Sequence, residues 1–166
     1  LGGTFNSSNS SVATIDNSGN ITPILDGTTT ITYTIGSGAC QGTATKIITI
    51  TAPPIAGNLS GIQNICSNGS TTFESTVASS AGSWSSGNVL IATINATSGL
   101  ITPVNTAING TVTMTYTVAG TGGCADAIET RDVTITTLPN AGILSGDQSI
   151  CANATSTFIS TGASDQ

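Results

Sequence analysis

The eleven residues Ala56-Gly57-Asn58-Leu59-Ser60-Gly61-Ile62-Gln63-Asn64-Ile65-Cys66 return 85 positions later as Ala141-Gly142-Ile143-Leu144-Ser145-Gly146-Asp147-Gln148-Ser149-Ile150-Cys151. A chain that repeats at such a period is expected to be an array of similar units stacked in series. The register extends well beyond this stretch. Phe5 answers Trp84, Val12-Ala13-Thr14-Ile15 answers Ile91-Ala92-Thr93-Ile94, Ile21-Thr22-Pro23 answers Ile101-Thr102-Pro103, and Tyr33 answers Tyr116. Cys40 then answers Cys124, Ile48-Thr49-Ile50 answers Val133-Thr134-Ile135, Pro54 answers Pro139 and Phe73 answers Phe158. Length changes fall in stretches rich in Gly, Asn and Thr, while the apolar runs stay constant, as expected of loops joining fixed elements.

The repeat divides the chain into 1–52, the C-terminal part of one unit; 53–138, a complete unit; and 139–166, the N-terminal part of a third. Leu1 maps to the place of Ser80 and Gln166 to the place of Ala81, neighbouring positions in one loop. The expectation is an excerpt from a longer polymer. Its incomplete units would be finished by continuing repeats or by neighbouring copies head to tail, the Phe158 strand of one copy completing the core built on Phe5, Ile15, Tyr33 and Ile50 of the next. The linkers Thr51-Ala52-Pro53-Pro54-Ile55 and Thr137-Leu138-Pro139-Asn140 are short and carry proline, which predicts semi-rigid joints.

Within each unit the period is two. In Thr30-Ile31-Thr32-Tyr33-Thr34-Ile35 and Thr111-Val112-Thr113-Met114-Thr115-Tyr116-Thr117-Val118, Thr alternates with an apolar residue. That is the pattern of an antiparallel strand with one face on a core. Further short strands are predicted over Gly82–Ser86, Leu90–Ile94 and Leu100–Val104, separated by Gly-Asn and Ser-Gly turns, with an early strand over Ser70–Val77 and the last strand of each repeat over Lys46–Thr51 and Arg131–Thr136. About seven strands in roughly 85 residues, with no helical stretch, predict an all-β fold of tandem immunoglobulin-like β-sandwich repeats. The inward set of the complete unit is Trp84, Ile91, Ile94, Ile101, Val112, Met114, Tyr116, Val133 and Ile135.

Composition narrows function. Lys46 and Arg131 are the two basic residues against eight acidic ones, and there is no His. This argues against a basic nucleic-acid surface and against histidine-based metal or catalytic chemistry. Only 6% of residues are charged, far below the quarter usual in globular proteins, so hydroxyls and amides cover the surface. No apolar run is long enough to span a bilayer as a helix.

The order Trp84-Ser85-Ser86-Gly87-Asn88, Ile91-Ala92-Thr93-Ile94, Ser98-Gly99-Leu100-Ile101-Thr102, Gly110-Thr111-Val112-Thr113-Met114-Thr115-Tyr116 and Val133-Thr134-Ile135 resembles the bacterial Ig-like domain of group 2, as in invasin and intimin-type adhesins. With the A-G-x-L-S-G-x-Q-x-I-C opening and a G-G-C before the last strand, it is most similar to Ser/Thr-rich arrays of Bacteroidota cell-surface proteins, including giant gliding-motility adhesins. The resemblance implies an extracellular location at the bacterial surface. The implied role is structural and adhesive: a filament or stalk giving reach and mechanical strength, with surface attachment as a further role and surface glycans as a further partner. The alternative is a carbohydrate-binding Ig-like module of a secreted protein. No enzyme and no cofactor are expected.

Four cysteines at repeating positions, without C-x-x-C or His, predict disulfides rather than zinc. Cys66 and Cys124 both fall in the complete unit. Closing their loop would stabilise it by about 4 kcal/mol, leaving Cys40 and Cys151 to pair outside the excerpt. The rival scheme joins Cys40 to Cys66 and Cys124 to Cys151 across the linkers. Asp126, Glu129 and Asp132 are close enough in sequence to suggest calcium. The matching stretch Gln41–Ile47 has no acid, so no metal site is expected, and Arg131 is read as a solvated surface pair with its acidic neighbours. Trp84 is assigned to the core rather than to a sugar-stacking platform. The threonine columns Thr28, Thr30, Thr32, Thr34 and Thr111, Thr113, Thr115, Thr117 are read as uncharged solubilising faces.

Overall fold

A computed structural model describes residues 2–107 and 109–164, and its regular structure is β throughout except for one 3-10 turn at Gly38–Cys40. Two compact units emerge: Leu1–Ile55 with Val118–Ala127, and Ala56–Thr117 with Ile128–Gln166.

The first unit contains β1 (Thr4–Ser7), β2 (Ala13–Ile15), β3 (Ile21–Pro23), β4 (Gly27–Ile35) and β5 (Gly42–Ile50). They form a three-stranded sheet in the order β1-β4-β5 and a separate β2-β3 ribbon. Phe5 lies opposite Tyr33 in the β1–β4 register, with ring centroids 4.6 Å apart. Val12, Ala13, Thr29 and Ile31 are buried. The Thr29 hydroxyl is tolerated there because it meets Ser7 Oγ at 2.9 Å and accepts from the Asn9 N–H at 3.0 Å. β5 pairs with β4 along all nine of its residues, and among the described strands none lies on its other side.

The second unit begins with β6 (Asn58–Ser60), β7 (Asn64–Cys66), β8 (Thr71–Thr72) and β9 (Glu74–Thr76). It continues with β10 (Ser83–Ser86), β11 (Ala92–Ile94), β12 (Leu100–Pro103), β13 (Gly110–Val118), β14 (Ala127–Thr136), β15 (Ile143–Ser145) and β16 (Ile159–Thr161). One sheet runs β10-β13-β14-β7 and another β11-β12-β8, with β6-β9 and β15-β16 as ribbons. This is an immunoglobulin-like β-sandwich. β7 joins β14 in parallel, Thr134, Ile135 and Thr136 facing Asn64, Ile65 and Cys66.

The alternation read from the sequence decides the faces. Val112, Met114, Tyr116 and Val118 are buried while Thr111 and Thr113 are exposed, so the register of β13 is as expected. Trp84, Ile101, Val133 and Ile135 are buried with them, whereas Ile91 and Ile94 reach only half-burial near the turns that flank β11. The early strand expected over Ser70–Val77 is divided. Phe73 interrupts it, donating its N–H to Gly99 O, so that β8 pairs with β12 and β9 pairs with β6. One strand thus serves both layers, and Phe73 at the crossing is 1% exposed.

Gly99 sits in the left-handed region at φ +69, and a Cβ there would overlap the Phe73 carbonyl oxygen, so this turn admits glycine alone. Val77, by contrast, is a β-branched residue at φ 57, a costly conformation for its type. Its counterpart 85 positions on is Gly162, at φ 75.

Candidate interaction surface

The aromatic residues of the second unit form its centre rather than a binding face. Trp84 lies between Phe73, at 6.2 Å, and Tyr116, at 4.8 Å between ring centroids. The Tyr116 hydroxyl accepts from the Gly82 N–H at 2.7 Å, and in the first unit the Tyr33 hydroxyl accepts from Gly3 at 3.0 Å. Tyr116 therefore buries its ring and Tyr33 half-buries its own, each with the oxygen satisfied at the rim, as amphipathic aromatics do.

Arg131 is not the solvated partner of Glu129 and Asp132 that its neighbours suggest. It is half-buried, donates to Leu59 O at 3.2 Å and Gly61 O at 2.8 Å, and its guanidinium lies 5.4 Å from the Phe73 ring centroid. The side chain points to the inward face of β14 with Val133 and Ile135, where a fork of donors can hold the β6–β7 loop. Its repeat counterpart, Lys46, is exposed. The sequence carried a signal for this role: the chain's two cations stand at equivalent positions, an arrangement a random surface charge has no reason to keep.

The acids are used separately. Asp126 Oδ1 accepts from the Gly120 N–H at 2.8 Å, and Asp132 Oδ1 accepts from the Thr113 hydroxyl at 2.6 Å. Among the described residues no three His, Cys, Asp or Glu side chains gather into a metal-binding group. The threonine columns form cross-strand bonds, Thr111 Oγ1 lying 2.9 Å from Thr134 Oγ1.

All four cysteines are free thiols, which corrects the expected Cys66–Cys124 bridge. The reason is the length of one strand. Cys66 pairs with Thr136 at the end of β14, while Cys124 precedes the start of β14 at Ala127. Ten residues of strand separate the two ends by about 30 Å, against the roughly 7 Å a disulfide permits between Cα atoms. Cys124 is half-buried, with Sγ 3.4 Å from Thr51 O inside the first unit, and Cys40, Cys66 and Cys151 are exposed.

Among the described residues, two surfaces are unmatched. In the first unit, Pro23, Ile24, Leu25, Asp26, Ile50, Thr51, Ala52 and Pro53 line an open, largely apolar cleft of about 460 Å³ beside the free edge of β5. In the second unit the equivalent place is filled. Ser67, just after β7, donates its N–H to Thr136 O at 2.8 Å and its hydroxyl to Thr106 O at 2.8 Å. The other unmatched surface is the β15–β16 ribbon and its flanks, where Ile143, Leu144, Ile150, Phe158 and Ile159 are all more than half exposed. The ribbon repeats the geometry of β6–β9: Asn58↔Thr76 becomes Ile143↔Thr161, and the Ser75 bond to Ala56 O becomes a Ser160 bond to Ala141 O. Ser149–Cys151, the counterpart of β7, is not a strand.

Among the described residues no helix is long and apolar enough to cross a membrane. A comparison with curated proteins finds no match. Among solved structures, surface layer protein SbsC domains 4 and 5 is 18% identical, over 83% of this chain and 71% of that one, with a TM-score of 0.34. The structure of SbsC domains 1–6 is also 18% identical, over 88% of this chain at a TM-score of 0.32, and this chain spans about a fifth (21%) of its length. A SusE-like surface located polysaccharide binding protein from the Bacteroides thetaiotaomicron heparin utilisation locus is 18% identical over 84% of this chain and 30% of that one, at a TM-score of 0.39. Residues 2–46, spanning β1 to β4 and the first half of β5, match the family described as bacterial Ig-like domain (group 2).

Proposed function

We propose that this chain is a structural segment of an extracellular filament or stalk on a bacterial surface, made of tandem Ig-like repeats of about 85 residues with boundaries near residues 52 and 138. Its partners are neighbouring copies or continuing repeats, joined head to tail. The observation that carries this reading is the complementarity of the two unmatched surfaces. Among the described residues the first unit has no strand on the outer edge of β5 and has an apolar cleft beside it, and residues 139–164 repeat as β15–β16 the pairing that β6–β9 makes in the second unit. Neither surface can bury its apolar residues alone, and a head-to-tail contact between them does not close on itself, so it propagates. The match of residues 2–46 to a bacterial Ig-like domain supports a non-catalytic surface module. A carbohydrate-binding role has less support, because Phe73, Trp84 and Tyr116 are buried and present no aromatic platform.

Sedimentation of the purified chain across a range of concentrations, with negative-stain imaging of the heaviest fraction, tests this. Concentration-dependent linear oligomers that Phe158→Asp abolishes are expected. A monomer at every concentration would overturn the joining of separate copies and leave continuing repeats as the head-to-tail partner.

A further inference from the structure

We infer that the parallel pairing of β7 with β14, carried past its backbone ladder by the Arg131 and Gln63 side chains, is a shear latch that bears tension passing lengthwise through the second unit. The stalk reading above supplies the direction of that load, and the latch names the bonds that resist it.

Between Asn58 and Thr136 the first strands are β6 and β7 and the last is β14. Tension along the chain therefore enters before β7 and leaves after β14. The two strands are parallel neighbours, Thr134, Ile135 and Thr136 facing Asn64, Ile65 and Cys66. In a parallel pair the start of one strand and the end of the other lie at opposite ends, so pulling on these two points slides the strands along each other. Every bond between them is loaded at once. Had the two strands been antiparallel, both points would lie at one end, and the bonds would open one after another.

The backbone ladder is short. It is closed at one end by the Thr134 N–H donating to Gln63 O at 2.6 Å and at the other by the Ser67 N–H donating to Thr136 O at 2.8 Å. Ahead of Gln63 the backbone turns away to pair with β9, through Gly61 at φ +132 and Ser60 opposite Glu74. Side chains take over there. The register carried back from Thr134↔Asn64 brings Arg131 beside Gly61, and Arg131 donates to Gly61 O at 2.8 Å and to Leu59 O at 3.2 Å. From the opposite strand, Gln63 Nε2 donates to Asp132 O at 3.0 Å. These bonds lengthen the latch to residues 59–67 against 131–136, and the two from Arg131 are charge-assisted in a fork that a single ammonium cannot reproduce.

Both ends of the latch are anchored in the core. The Arg131 guanidinium lies 5.4 Å from the ring centroid of Phe73, which is 1% exposed. At the far end Ser67 is buried and donates its hydroxyl to Thr106 O at 2.8 Å. A group that merely stabilises the fold would resist a pull in any direction, whereas a latch resists one.

The test holds single copies of the full chain at constant force between paired thiol attachments, in a background of Cys40→Ser, Cys66→Ser, Cys124→Ser and Cys151→Ser. Asn58→Cys with Leu138→Cys pulls the latch lengthwise. Asn68→Cys with Leu138→Cys pulls β7 and β14 apart from the end they share. Asn58, Asn68 and Leu138 are exposed, and each variant must keep the Trp84 fluorescence of the parent. At equal force the lengthwise lifetime is expected to exceed the end-on lifetime at least about tenfold. Arg131→Met should shorten the lengthwise lifetime by about tenfold and the end-on lifetime by less than about twofold, because its bonds lie at the far end of the unzipping ladder. Gln63→Ala removes one bond from an exposed side chain and should act in the same sense by a smaller factor, which keeps the test open if Arg131→Met does not fold. Equal lifetimes in the two directions overturn the inference, as does an Arg131→Met loss that is the same in both. The outcome is independent of association between copies: equal lifetimes remove the latch and leave the head-to-tail reading standing, while a monomer in sedimentation bears on the joining of copies and leaves the latch in place.

Discussion

Ile21 and Ile101 occupy the same place in two copies of one pattern, yet Ile21 is 41% exposed and Ile101 is fully buried. The local strands are alike: β2 pairs with β3 as β11 pairs with β12, through Ile15↔Ile21 and Ile94↔Ile101. What differs is the third strand. β12 takes β8 on its other edge and Phe73 beneath it, while β3 has neither among the described residues. The same contrast separates Tyr33 from Tyr116, Phe5 from Trp84 and Ile50 from Ile135, the first of each pair being half-buried and the second buried. At these positions burial in the second unit comes with the strands between Asn58 and Thr76, while the first unit, among the described residues, keeps a smaller buried set of Val12, Ala13, Thr29 and Ile31.

The largest expected effect probes that difference directly. Phe73→Ala should destabilise the second unit by about 3–5 kcal/mol, read by Trp84 fluorescence in denaturant, because it opens the crossing between the two layers. Its counterpart Phe158→Ala should change that transition by less than about 0.5 kcal/mol in the dissociated chain, as an exposed side chain does. Equal losses would show that the unmatched ribbon is packed in solution. Next comes the cation pair: Arg131→Met should cost about 1.5–3 kcal/mol through two charge-assisted bonds, against about 0.5 kcal/mol or less for exposed Lys46→Met, both followed by calorimetry. If head-to-tail contacts form, the Lys46 effect should grow with protein concentration.

Val77→Gly tests the strained turn. It should stabilise the second unit by about 1 kcal/mol by relieving a left-handed β-branched residue, whereas Gly162→Val should destabilise the ribbon, measured by thermal melting and by amide exchange respectively.

The smallest effect concerns two equivalent turns that differ in one atom type. Asn95 Oδ1 accepts from the Thr97 and Ser98 N–H groups at 3.0 and 2.9 Å. Its counterpart Asp16 accepts from the Asn20 side chain at 2.8 Å, from the Asn20 N–H at 2.9 Å and from Ser18 at 2.8 Å. Those bonds, the Asn20 side chain first, hold the Asp16 carboxyl below its ordinary 3.8. A depressed folded value means that the contribution is present above the unfolded value and is lost as pH falls through the folded one, so the 16–20 turn should loosen only in acid below about pH 4. A carboxyl titration by NMR should show this at Asp16, and Asp16→Asn should make the turn as indifferent to pH as its Asn95 counterpart.

Much of the fold was legible before any coordinates. Thr alternating with Val, Met and Tyr over 111–118 has one solution on a pleated strand, and Met114 and Tyr116 are buried accordingly. The position of Trp84 in the core followed from the same pattern. Three features departed from the sequence reading, Arg131 among them although its repeat position carried a signal. The strand over 70–77 crosses between layers, because Phe73 N–H bonds to Gly99 O and not to a ladder partner. Arg131 enters the packing because β14 turns that face toward the β6–β7 loop. Cys66 and Cys124 are separated because one ends beside the last residue of β14 and the other precedes its first.

By itself, the sequence determined which residues face inward and where the pattern repeats, since side-chain direction along a strand is set by the backbone's own period of two. Only the tertiary structure decided which edge each strand presents, which edge is left open and which thiol lies against which carbonyl. Those depend on pairings between residues far apart in the chain, where a shift of register or a parallel instead of an antiparallel partner leaves the local pattern unchanged and moves every contact.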